Sequence, residues 1–116
     1  MYHSSIDTKI ESFRAGSCFV ADADVSETFL CGNAGRVYEV AIESSSVAYE
    51  DELREAGAQC GFDGSAYLFE LADDSAVRAN LAAQEYTTVE YADTSEDNMW
   101  EFTCIRTLVD GIVTIK

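Results

Sequence analysis

Strand-type sequence at both ends brackets a helical middle, and that order constrains the fold more than any single residue. Met1-Tyr2-His3-Ser4-Ser5 reads as an opening strand, and Gly16 precedes a short apolar run, Ser17 to Ala21, that reads as a buried one. From Arg36 to Glu43 the pattern alternates, with Tyr38, Val40 and Ile42 on one face and Glu39 and Glu43 on the other. Tyr86 to Ala92 is rich in β-formers, and in Met99 to Arg106 the residues Trp100, Phe102 and Cys104 share a face. Leu108-Val109 and Ile112-Val113 flank Asp110-Gly111, which predicts a two-residue hairpin.

The middle follows a different period. Residues 47–60 place Tyr49, Leu53, Ala56 and Cys60 on one helical stripe, and Gly61 ends it. Asp74 or Ser75 caps a helix running to Glu85, with Val77, Leu81 and Ala82 inward. Asp24-x-x-Glu27 has the form of a capping box and Gly32 that of a stop, framing a short helix with Val25 and Phe29 inward. Periodicity leaves Ala66 to Leu71 open between strand and helix. The whole predicts an α+β fold, a strand-rich core with two or three inserted helices, as one domain over residues 1–116.

Composition limits the partners. The chain carries 22 acidic residues against seven Lys and Arg, a net charge of −15. Phosphate binding needs cations, so this balance argues against direct nucleic-acid binding and against an anionic membrane surface. It favours a basic partner protein. No apolar run approaches a membrane span, and the first residues lack the pattern of a signal peptide, which reads as a soluble cytoplasmic protein. Cys18, Cys31, Cys60 and Cys104 form no C-x-x-C pair and there is one histidine, His3, which argues against zinc. The expectation is four reduced, buried thiols.

The string Tyr2-His3-Ser4-Ser5, then Gly16-Ser17-Cys18-Phe19-Val20-Ala21-Asp22, then a short helix ending near Phe29, resembles the N-terminal half of the ADP-ribosyltransferase superfamily. Residues 86–105, with a polar acidic loop between two strand-type segments, are similar to that family's late hairpin. The look is nearest to the family's small phage-encoded anti-CRISPR members, which act on type I-F systems. The resemblance implies a split-sheet core and transfer of ADP-ribose from NAD to a host or CRISPR-Cas subunit, on a side chain such as Asn. It implies His3 on a ribose hydroxyl, Ser4 near the nicotinamide amide where the family has Gly, and Phe29 stacked on the nicotinamide. In the second motif Cys18 stands where the family has an aromatic residue, which leaves its neighbour Phe19 as a further cofactor-binding candidate or as a ring that points into the core.

Such transfer breaks the bond between nicotinamide and ribose, and the ribose carbon becomes an oxocarbenium-like cation. One carboxylate must stand near that cation. Asp93 and Glu96 are the candidates, with Glu90 and Glu101 behind them. Lys9, Arg14 and Arg36 are the cations available in the N-terminal third for the pyrophosphate. The reading therefore expects imidazole, aromatic ring and carboxylate around one hollow. The alternative is a non-catalytic acidic inhibitor that mimics nucleic acid and blocks the basic groove of a nucleic-acid-binding complex.

Overall fold

In the computed structural model, which describes residues 1–94 and 101–116, seven strands and four helices make a mixed α+β structure. The strands are β1 (Tyr2–Ser5), β2 (Cys18–Val20), β3 (Arg36–Ile42), β4 (Val47–Ala48), β5 (Thr88–Thr94), β6 (Glu101–Thr107) and β7 (Val113–Ile115). They lie side by side in the order β4-β5-β6-β2-β1-β3-β7. Only β4 and β5 are parallel; every other pairing is antiparallel. The opening strand is thus interior, hydrogen-bonded to β2 on one side and β3 on the other.

Residues directly opposite each other in an antiparallel pair share a face, and neighbours along a strand alternate faces. One face is built from Val89, Tyr91, Cys104 and Val20, and it buries against helices α2 (Glu50–Gln59), α3 (Leu68–Asp73) and α4 (Ser75–Ala83). Leu53, Ala56, Leu71, Val77 and Leu81 supply the helical side of that core. Gly57 allows α2 and α3 to approach closely, since a Cβ there would lie 2.6 Å from Leu71 Cδ2. The opposite face carries Phe19, Tyr38 and Val40, and the segment between β1 and β2 covers it with Ile10 and Phe13. Tyr38 pins that segment by donating from its hydroxyl to the Asp7 carbonyl, 2.7 Å, and accepting from the Ile10 amide, 2.9 Å.

Several local expectations change in three dimensions. Ala66 to Leu71 resolves into α3, because Leu71 and Ala72 find the same core as α2. Helix α2 starts at Glu50, since Val47 and Ala48 are drawn into the sheet beside Thr88 and Val89, and Tyr49 is left 53% exposed. Helix α1 (Ala23–Thr28) is capped by Asp22, whose Oδ1 accepts from Asp24 and Val25, so Asp24 opens the first turn and is not the cap. Asp110-Gly111 does turn the chain, with Gly111 at φ 82, but no hairpin forms. Strand β7 crosses to pair with the edge of β3, Val40 opposite Ile115, which satisfies that edge and extends the apolar face with Val113 and Ile115. Among the described residues no helix is long and apolar enough to cross a membrane.

Candidate functional site

His3 and Ser4 are consecutive residues on an interior strand, so their side chains leave opposite faces. His3 lies opposite Tyr38 and its ring enters the aromatic cluster under the 6–17 segment, 4.9 Å from the Phe13 ring and 5.7 Å from that of Phe19. Nδ1 stands 2.8 Å from the Cys18 carbonyl oxygen. A carbonyl only accepts, so Nδ1 carries a proton, and Nε2 has no hydrogen-bond partner among the described residues.

Ser4 points to the helix side. Its Oγ is 2.7 Å from Oγ of Ser26, a buried residue of α1, and this bond fastens α1 to the first strand. The helix then delivers Phe29 at its C-cap. Phe29 is 54% exposed, contrary to the expectation of an inward ring, and makes an edge contact of 5.9 Å with Phe102 of β6. Phe102 lies opposite Asp93 in the β5–β6 ladder. Ser4, Phe29, Phe102 and Asp93 therefore belong to one side of the sheet. Asp93 falls within β5, not in the acidic loop; its Oδ1 accepts from the Thr94 amide, 2.8 Å. Glu96 lies outside the described residues. Glu90 faces the other way from Asp93 at the β5 edge, and Glu101 is exposed at the start of β6.

The cations fall on the histidine's side. Lys9 and Arg14 are exposed on the segment that covers the aromatic cluster, and the Arg36 guanidinium lies 4.4 Å over the Tyr38 ring. None of the three enters an ion pair among the described residues. Phe19 is fully buried between His3 and Phe13, so it offers no surface to a cofactor and serves the core. The expectation of one hollow holding imidazole, Phe29 and carboxylate is thus corrected by strand alternation. His3 with its nearby cations lies on one face; Ser4, Phe29 and Asp93 lie on the other.

A feature the sequence reading passed over lies beside Ser4 on the helix side. Cys18 sits opposite Arg106, and Cys104 and Tyr91 sit opposite one another on the adjoining strands. The Cys18 thiol is lowered to about 7, foremost because Cys104 donates to it, with the Arg106 charge and the Tyr91 hydroxyl adding to the effect against burial. Cys104 is pushed up because it is the donor of that bond, and burial adds to this. Burial also raises Tyr91, with the two thiols reinforcing it. Arg106 is held by Asp73 Oδ1 at 3.0 Å and the Gly16 carbonyl at 3.2 Å. The register signal was available in the spacing Cys18–Val20 and Cys104–Arg106, but only pairing of β2 with β6 brings the two segments together. All four cysteines are free thiols; Cys104 is buried as expected, whereas Cys31 is exposed.

Compared with family models, curated proteins and solved structures, the chain matches none.

Proposed function

We propose that the protein is a mono-ADP-ribosyltransferase that uses NAD to modify a basic protein, with a CRISPR-Cas subunit as the target class that the resemblance implies. The observation that carries the reading is the exposed Phe29 ring on the same side of the sheet as Ser4 and Asp93, joined to the Asp93 strand pair through Phe102. The segments behind the resemblance also adjoin one another, as β5-β6-β2-β1.

In this reading Phe29 stacks on the nicotinamide, an interaction of about 0.5–2 kcal/mol for a cationic ring. Asp93 stands near the anomeric carbon as its bond to nicotinamide breaks. The electron pair leaves with neutral nicotinamide, the target side chain attacks the sugar carbon, and its proton passes to solvent or to Asp93. His3, on the other face of the sheet from Phe29 and Asp93, does not reach that ribose; its Nδ1–H holds the Cys18 carbonyl and so fixes β1 against β2 beneath the site. Incubation with NAD and a basic target should add the mass of one ADP-ribose. Asp93→Asn should slow transfer roughly 10²- to 10³-fold. Phe29→Ala should act mainly on KM for NAD. A protein that neither binds nor consumes NAD at millimolar concentration ends this reading.

The charge distribution favours a second reading, the non-catalytic acidic inhibitor. With 22 acidic residues in the chain, only two ion pairs form among the described residues, Arg106–Asp73 and Lys116–Glu39. Most carboxylates remain available to a basic groove. An Asp93→Asn protein that inhibits as well as its parent would decide for this reading.

A further inference from the structure

The outer edge of β5 is covered for only two residues. Strand β4 pairs with Thr88 and Val89, and the chain then leaves the sheet into α2. Past Val89, among the described residues, no strand lies on that side of β5. The Ala92 amide turns outward there and donates to Glu50 Oε1 at 3.3 Å, a long contact from the first turn of α2. Between this edge and the start of α2 lies a cavity of 380 Å³, walled by Tyr49, Glu50 and Asp51 on one side and Glu90, Ala92 and Thr103 on the other.

The lining chooses the ligand. Glu50, Asp51 and Glu90 have no cationic partner, since the ion pairs among the described residues lie elsewhere. Tyr49 presents a ring that is half exposed. Carboxylates beside an aromatic face suit an organic cation, and a guanidinium can satisfy both at once. Among the described residues no group of His, Cys, Asp and Glu is arranged to hold a metal ion. Beside the cavity, the strand edge supplies alternating backbone groups, which is how an extended peptide adds to a sheet.

We infer that this edge is a docking site for an extended segment of a partner protein, whose backbone pairs along Glu90–Ala92 and whose arginine enters the Tyr49–Glu50–Asp51 cavity. The Ala92 amide passes from Glu50 to a carbonyl of the incoming segment, and the released carboxylate pairs with the guanidinium. Tyr91, at the cavity wall, is two residues before Asp93 on the same face of β5. A segment docked here runs toward that carboxylate. The inference deepens the transferase reading by naming how the target is held, and it is tested without NAD.

A labelled nine-residue peptide of Ser and Thr with one central Arg, and the same peptide with Gln, are titrated by fluorescence anisotropy. The Arg peptide should bind about tenfold more tightly. Glu50→Gln/Asp51→Asn should abolish the preference, while the charge-matched Glu43→Gln/Glu85→Gln protein keeps it. Ala92→Pro, which removes the outward amide, should weaken the peptide about tenfold, with amide resonance shifts in the parent confined to residues 49–51 and 90–92. Equal binding of the two peptides overturns the inference. So does equal loss in the control variant, or binding of arginine amide alone as tight as that of the peptide. A protein that docks the peptide but transfers nothing keeps this site and loses the transferase reading. Transfer to a basic protein with no peptide binding does the reverse.

Discussion

The two faces of the sheet are covered in different ways. Three helices close one face, and their buried side chains are aliphatic, with Leu53, Leu71, Val77 and Leu81 between 0% and 2% exposed. The other face is closed by an irregular segment and by aromatic rings set edge to face, His3, Phe13, Phe19 and Tyr38. Helices can be packed by stripe alone, whereas a segment without regular structure must satisfy its backbone by individual bonds, as Tyr38 does for Asp7 and Ile10. The helix side therefore holds the larger aliphatic core and leaves Phe29 exposed at its rim. The aromatic side fixes His3 in place.

The sharpest way to break this comparison is to empty each face in turn. Leu81→Ala should cost about 2–5 kcal/mol in denaturant unfolding. Phe13→Ala removes more atoms, yet should fall no higher than the low end of about 3–5 kcal/mol, because its segment can collapse onto the gap. If Phe13→Ala proves the costlier, the aromatic face is the true core. Gly57→Ala probes the α2–α3 contact: the new methyl meets Leu71, itself buried, and should destabilise by about 1–3 kcal/mol.

The thiol pair gives a pH test confined to the helix side. A Cys18 thiol lowered to about 7 favours the folded state once it is ionised. Its contribution is lost as pH falls through 7 and is complete only above the ordinary thiol value near 9, the folded protein releasing its proton first. Stability should therefore rise between pH 7 and 9, by on the order of 1–2 kcal/mol for the coupled pair. Cys104→Ala should flatten that rise. A rise that survives Cys104→Ala would assign the titration to another group. The smallest expected effect is at the helix caps: Asp22→Ala and Asp74→Ala should each cost about 1 kcal/mol, with the Asp22 variant also loosening Phe29.

Much of the secondary structure could be read from local pattern. The alternation through Tyr38, Val40 and Ile42 marks β3, the stripe through Leu53 and Ala56 marks α2, and Asp74 marks the start of α4. The opening strand and the two late strands were equally legible. What failed were judgements that depend on a distant neighbour. Val47-Ala48 is a strand only because β5 lies beside it, and Asp110-Gly111 is not a hairpin because β3 competes for β7. The site was legible as a set of residues and not as an arrangement. Phe19 reads as a ligand candidate next to Cys18, but a step of one residue turns it into the core.

The sequence alone determined the mixed architecture, the central helices and the acidic character, because each depends on periodicity or composition within a short window. Only the tertiary structure decided that His3 and Asp93 leave opposite faces, that Cys18 meets Cys104, and that Glu90–Ala92 of β5, unpaired on their outer side by any described strand, lie beside three carboxylates. These follow from strand order and register. Both are set by competition among segments far apart in the chain, and a shift of one residue sends a side chain to the other face.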